Sequence, residues 1–167
     1  MASLAKRCGC TTGLLSKIES GKSNPSLSIL YKIADALGIS LAELMTEESR
    51  ASCHDPASDE GNKTQRWTRT EKGYDFRLLA GGRAEKLMQP VLVRARKGRL
   101  RKGAMSHPGE ELIHMLKGRM RYRVGAVDYV LNPGDSLYFD AEEDHDLEPI
   151  SASVEYLAVF TGRRDST

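Results

Sequence analysis

Hydroxyl, amide and ammonium side chains are concentrated between residues 10 and 24, where the sequence reads CTTGLLSKIESGKSN. Thr11 is placed to cap a helix by accepting a hydrogen bond from an amide one turn later. Gly21 stands where the end of a helix favours a left-handed residue. Between Thr11 and Gly21, the apolar residues Leu14, Leu15 and Ile18 have the spacing of the buried face of a helix. The other face and the following loop could therefore donate to base edges and phosphates of DNA. These candidate DNA-binding residues are Thr11, Thr12, Gly13, Ser16, Lys17, Lys22, Ser23 and Asn24.

The charge of this region supports that interpretation. The whole chain of 167 residues has a net charge of only +2, so its overall composition does not indicate a nucleic-acid ligand. Residues 1–32, however, contain five lysines and arginines against Glu19 alone. Such a local excess of positive charge suits contacts with phosphates, although a solvated basic surface is the ordinary alternative.

The signals that follow this helix extend the pattern of a small helical bundle. Ser26 is placed to cap a helix over residues 27–37, and Gly38 ends it. Ser40 and Glu43 have the spacing of a capping box at the start of a further short helix.

These segments together resemble a known DNA-binding family. The sequence LAKRCG, followed by CTTGLLSKIESGKSNPSLSILYKIADALGISLAELM, resembles the XRE/Cro-type helix-turn-helix of phage repressors. It contains the family's turn, recognition helix, E-x-G-K-x-x-P segment and A-L-G-x-S segment. The family has a further helix before the one that contains Leu4 and Ala5, so the resemblance implies that the first helix of the bundle is missing here. A helical bundle that does not bind DNA is the alternative.

The second half of the chain has a different periodicity. Residues 46–62 are polar and aperiodic, as in a linker. Residues 119–124 alternate strictly between charged and apolar side chains, which predicts a half-exposed strand. Further short strands at regular spacing predict a β-sandwich or small barrel. The predicted division is a helix-turn-helix domain over 1–46, a linker over 47–62 and a β-domain over 63–163.

Two segments of this β-domain resemble the motifs of the cupin family. Residues 103–118, GAMSHPGEELIHMLKG, are similar to the first motif, H-x-H-(x)3-E-x-x-x-V-L-x-G. Residues 132–135, NPGD, followed by His145, are similar to the second. The resemblance implies the double-stranded β-helix barrel of cupins. The predicted fold class is therefore α + β in two domains, an all-α helix-turn-helix bundle followed by an all-β cupin barrel.

The cupin resemblance also implies a metal site. His107, Glu111 and His145 match three of the family's four ligands, and Met105 stands at the fourth position. Two imidazoles and one carboxylate suit a divalent ion of Fe, Zn, Mn or Ni and leave coordination positions open. The alternative is a pocket in which these residues bind each other or an organic ligand. The acidic residues around His145 predict that its imidazolium form is favoured unless a metal is bound.

Other polar clusters give weaker signals. Three cysteines, an odd number, argue against a disulfide framework, and they lack the paired spacing of a zinc site. Six basic residues between 94 and 102 are typical of a solvated hairpin, while an anion site or a second DNA surface are the alternatives.

Together these patterns favour a cytoplasmic transcriptional regulator that is not an enzyme and has no catalytic residues. We expect no signal peptide and no membrane span, because the sequence shows neither the pattern of a signal peptide nor an apolar run of membrane-spanning length. We expect a homodimer on double-stranded DNA, because one recognition helix buries little surface, and a small-molecule effector in the cupin. The first alternative is a mononuclear non-haem metal enzyme, because the same architecture resembles hydroxypropylphosphonate epoxidase. The second is a sensor or interaction protein whose head no longer binds DNA.

Overall fold

The computed structural model describes residues 1–45, 52–54, 66–83 and 86–162. Most of the predicted linker, 47–62, and both ends of the predicted cupin segment, 63–163, lie outside these residues. The N-terminal part, which we call the head, consists of helices α1 (Ala2–Arg7), α2 (Thr12–Glu19), α3 (Leu27–Leu37) and α4 (Leu41–Met45).

Local capping sets the limits of these helices as the sequence predicts. The Thr11 hydroxyl accepts from the Leu14 amide at 3.1 Å at the start of α2. Ser26 caps α3 in the same way, and Gly38 ends that helix in the left-handed conformation. Ser40 and Glu43 form the reciprocal capping box of α4, at 2.7 and 3.1 Å.

The C-terminal part consists of nine strands among the described residues. They are β1 (Thr68–Arg69), β2 (Asp75–Leu78), β3 (Met88–Arg96), β4 (Glu110–Lys117), β5 (Met120–Val124), β6 (Val127–Leu131), β7 (Ser136–Asp140), β8 (His145–Pro149) and β9 (Ser153–Thr161). All named pairs are antiparallel, in a six-stranded sheet of order β1-β2-β3-β9-β4-β7 and a three-stranded sheet of order β6-β5-β8. This arrangement confirms the predicted fold class of a helical head and an all-β barrel.

Strict alternation along the long strands separates the inside of the barrel from its surface. Every second residue of β3 and β9 is buried, and β4 shows the same pattern from Glu111 to Met115. The buried residues of both sheets form a single apolar core. Because side chains of a strand alternate between faces, this pattern also decides which polar residues point into the barrel.

The head packs directly on the barrel. Leu27, Tyr31 and Leu41 of the helices belong to the same buried cluster as the interior of the barrel, while Leu15 and Ile33 belong to a second cluster within the head. Leu37, the last residue of α3, is 47% exposed.

Among the described residues, no helix is long and apolar enough to cross a membrane.

Candidate functional site

Two histidines and a glutamate converge in the interior of the barrel. His107 precedes β4, Glu111 is the second residue of β4, and His145 is the first residue of β8. All three are buried, with at most 4% of each residue exposed. Glu111 Oε2 lies 3.2 Å from His107 Nε2 and 3.7 Å from His145 Nε2. One ligand atom from each residue lies within 4.8 Å of the other two, which is compact enough to surround one ion.

Backbone pairing and a glycine place these side chains together. Met105 and His145 exchange backbone hydrogen bonds at 2.7 and 2.8 Å, and the His107 amide donates to the Ala141 carbonyl at 2.8 Å. Residues 107–111 are not one extended run, because Gly109 has a φ of +88°. A Cβ on Gly109 would lie 1.9 Å from the Thr161 carbonyl oxygen, so only glycine allows this passage beside β9.

Hydrogen bonds to the backbone fix the orientation of both imidazoles. His107 Nδ1 lies 3.2 Å from the Pro108 carbonyl oxygen, and His145 Nδ1 lies 2.9 Å from that of Glu143. A carbonyl can only accept, so each Nδ1 carries the proton and donates. In the neutral rings, both Nε2 lone pairs then point toward the Glu111 carboxylate. His107 Nε2 and Glu111 Oε2 are close enough to share a proton, and the three electron-pair donors together could instead hold a divalent metal ion between them.

The environment of His145 differs from the sequence expectation. Burial lowers the pKa of His145 below its ordinary value, against the opposing effects of the Glu111 charge and the Glu143 carbonyl. The prediction of an imidazolium is therefore wrong, because burial outweighs the neighbouring acidic side chains. Of these, Glu142, Glu143 and Asp144 are exposed, so water screens their charges.

The three residues line a cavity of about 20 Å³. Met105, at the position of the fourth cupin ligand, lines the same cavity with an apolar thioether. The sequence did not identify the other polar groups of its wall, which are Ser28, Tyr74, Tyr122 and Tyr156. Burial raises the pKa of all three phenols, and the Glu111 charge adds to this effect, so they remain protonated donors at neutral pH. The sequence feature that could have identified two of them is a tyrosine at an inward-facing position of a strand, Tyr122 in β5 and Tyr156 in β9.

The candidate DNA-binding residues form an exposed face of the head with one exception. Thr12, Gly13, Ser16 and Lys17 are exposed along α2, and Lys22 and Asn24 are exposed in the following loop. Thr11 is exposed, with its hydroxyl used in the cap. Ser23 is buried, and its hydroxyl donates to the Glu71 carboxylate at 2.9 Å. The structure thus directs Ser23 toward the barrel and away from this face.

Neighbouring residues on the strands have the orientations that alternation predicts. Glu110 is exposed, and His114 lies on the outer side with its Nδ1 2.9 Å from the Ser136 hydroxyl. The six basic residues between 94 and 102 are all exposed. Arg94 pairs with Asp75 at 3.1 Å and covers the Trp67 ring at 4.1 Å.

Comparison with known protein families agrees with this division into head and barrel. A helix-turn-helix family model matches residues 1–44, and a cupin domain model matches residues 91–160. The chain is a helix-turn-helix transcriptional regulator of the XRE type with a C-terminal cupin domain.

Individual relatives match most of the length of this chain. The HTH-type transcriptional regulator PuuR of Escherichia coli (strain K12) is 24% identical over 150 residues, which cover 90% of this chain and 80% of PuuR. The structure of an HTH_3 family transcriptional regulator from Vibrio cholerae matches 96% of this chain and 85% of its own, with a TM-score of 0.64 and 18% identity. Hydroxypropylphosphonic acid epoxidase from S. wedmorenis has a TM-score of 0.52 and 20% identity, over 95% of this chain and 87% of its own. At these identities the structural matches establish the fold.

Proposed function

We propose that this regulator binds double-stranded DNA as a homodimer and senses a small molecule at a divalent metal ion held by His107, Glu111 and His145. In this proposal the DNA-binding domain is residues 1–46, the linker 47–62 and the cupin domain 63–163. The chain acts by binding and carries no catalytic residues. The metal anchors the effector in the barrel, and occupancy of the barrel alters the placement of the head.

The observation that carries the metal assignment is the orientation of the three ligands. Both Nδ1 atoms are committed to backbone carbonyls, so both Nε2 atoms can offer lone pairs beside the Glu111 carboxylate. The cavity of about 20 Å³ matches one small ion or water, since a water needs roughly 10–15 Å³. Three donors of this kind fit Fe(II), Zn, Mn or Ni and leave positions for an effector oxygen.

The polar face of α2 supports the DNA assignment. Thr12, Ser16 and Lys17 are exposed side by side on one helix, where they can reach base edges in the major groove. Lys22 and Asn24 follow in the loop and can donate to phosphates. A helix of eight residues covers only a few base pairs, so we infer that two copies bind two half-sites.

Equilibrium dialysis of the full chain against Fe(II), Zn(II), Mn(II) and Ni(II) tests the metal site. We expect one ion per chain in the wild type and a large loss in Glu111→Ala. Glu110→Ala is the matched control, because Glu110 is the preceding residue of β4 and is exposed. Negligible metal in the wild type, or equal metal in both variants, would mean that the three residues serve packing or an organic ligand.

The two-histidine, one-carboxylate set also suits oxygen chemistry, so a mononuclear metal enzyme is the second candidate. A regulator with His107→Ala should keep its DNA binding and lose its response to effector. An enzyme should instead show iron-dependent oxygen uptake that His107→Ala abolishes, with no preference among DNA sequences. His114→Ala is the control, since His114 faces outward with Ser136.

A further inference from the structure

The mouth of the barrel is covered by the head. Leu27 and Ser28, at the start of α3, line the same cavity as the three candidate ligands. One turn later, the Tyr31 ring lies 5.3 Å from the His107 ring and 5.6 Å from the Phe160 ring, with only 6% of the residue exposed. The outer wall of the site is therefore supplied by the head.

The segment that joins the recognition helix α2 to α3 is attached to one turn of the barrel, residues 70–74. The Ser23 hydroxyl donates to the Glu71 carboxylate at 2.9 Å, and the Glu71 amide donates to the Asn24 carbonyl at 2.7 Å. The Leu27 amide donates to the Tyr74 hydroxyl at 2.8 Å, and that hydroxyl belongs to a residue of the cavity wall. A displacement of α3 from the barrel consequently strains or breaks the connection that positions α2.

The size of the cavity under the head limits what can occupy it. A volume of about 20 Å³ accommodates an ion or a water, whereas pockets for organic ligands measure roughly 300–1,000 Å³. The walls inside the barrel belong to the packed core of two sheets and cannot withdraw without breaking strand pairs. The wall formed by α3 rests on the rings of His107 and Phe160 and is the side that can move.

We propose that the effector site is shared between the two domains, and that an organic effector binds in the space left when Leu27, Ser28 and Tyr31 lift away with α3. This inference rests on the proposed function for the metal and the effector. It adds that Tyr31 holds the head over the site through its contacts with the His107 and Phe160 rings, and that effector entry must displace the segment attached to the recognition helix.

Two amides of α3 provide an internal comparison. The Leu27 amide donates across the domain contact to Tyr74, whereas the Ile29 amide donates to Ser26 within its own helix cap. Hydrogen exchange measured by NMR on the metal-free full chain should therefore report closure at Leu27 and local helix integrity at Ile29. This measurement does not depend on the metal.

The variants are Tyr31→Ala and, as the matched control, Tyr138→Ala, since Tyr138 is 61% exposed on β7. Loss of two aromatic contacts should raise exchange at Leu27 by about tenfold in Tyr31→Ala, and leave Ile29 unchanged. Release of Co(II) to excess EDTA should accelerate by a similar factor, while Tyr138→Ala matches the wild type in both measurements. Tyr31→Phe keeps the aromatic ring, so its exchange at Leu27 and its release of Co(II) should both match the wild type.

Unchanged Leu27 exchange and unchanged Co(II) release in Tyr31→Ala would overturn the shared site. If Ile29 also exchanges faster, the helix itself has loosened. Ser23→Ala then decides, because it removes the attachment to Glu71 while Tyr31 and the acceptor of the Leu27 amide stay in place, and it must still raise exchange at Leu27. A wild-type protein that holds no Co(II) would contradict the proposed metal site, and the exchange at Leu27 would then decide the shared site alone.

Discussion

Metal binding should raise the thermal stability of this protein through Glu111 and not through its neighbour Glu110. A metal ion at 100 times its dissociation constant stabilises the folded state by about 2.7 kcal/mol. Because Leu27, Tyr31 and Leu41 of the head are part of the buried core of the barrel, we expect the whole chain to unfold as one unit. For a chain of this length, 1 kcal/mol shifts Tm by roughly 2–4 °C, so the metal should raise Tm by about 5–10 °C.

The change that tests this is Glu111→Gln, which keeps the shape of the side chain and removes its charge. If the site becomes a hundredfold weaker, the same metal concentration contributes only about 0.4 kcal/mol, and Tm should rise by less than about 2 °C. Calorimetry with metal and with EDTA gives both values, and Glu110→Gln should retain the full shift. Equal shifts in Glu111→Gln and Glu110→Gln would refute the assignment, because the stabilising metal would then bind elsewhere.

Other consequences can be tested separately. Lys17→Ala should weaken binding to a preferred DNA sequence by about 1–3 kcal/mol per half-site, whereas Lys22→Ala should weaken all sequences alike and reduce the salt dependence, as fluorescence anisotropy on matched and random duplexes would show. Gly109→Ala should lower the free energy of unfolding, measured in urea, by about 3 kcal/mol or more, because the positive φ and the nearby Thr161 carbonyl both oppose a Cβ. Gly134→Ala should lower it by less, because Gly134 has a positive φ but no neighbouring atom within 4 Å of the added Cβ. Burial lowers the pKa of His145 in the folded protein, so as the pH decreases past 6.5 the unfolded chain binds a proton before the folded chain does. The free energy of unfolding of the metal-free protein should therefore decrease at pH values below 6.5. His145→Asn should remove this component of the pH dependence.

Local signals account for the parts of the fold that the sequence predicted. Thr11, Ser26 and the Ser40–Glu43 box act within one helical turn, so their residue types alone indicate where the helices begin. In β4 the signal is equally local, because neighbouring side chains of a strand point to opposite faces, and Glu111 is buried while Glu110 is exposed.

Contacts between residues far apart in the sequence could not be predicted from these local signals. Ser23 follows the recognition helix and was assigned to DNA, but its partner Glu71 lies 48 residues away. The Leu27 amide likewise meets Tyr74 across 47 residues. Periodicity shows which face of a helix is apolar, but not which surface covers it, so the closure of the barrel by α3 could not be predicted.

The site itself was partly predictable. The motifs identified His107, Glu111 and His145 as one set, and the structure brings them together. The reversal of the His145 prediction arose because the sequence shows neighbouring charges but not the degree of burial, and burial has the larger effect on that pKa.

A binding measurement on DNA tests most directly whether this regulator recognises a specific DNA sequence. The full chain would first select duplexes from a random pool, and anisotropy would then compare the selected duplex with a scrambled one at physiological salt. A regulator that reads bases through α2 should prefer the selected duplex by about 10³-fold or more, and Lys17→Ala should reduce that ratio. Equal affinity for both duplexes, unchanged by Lys17→Ala, would contradict sequence-specific DNA recognition by this protein.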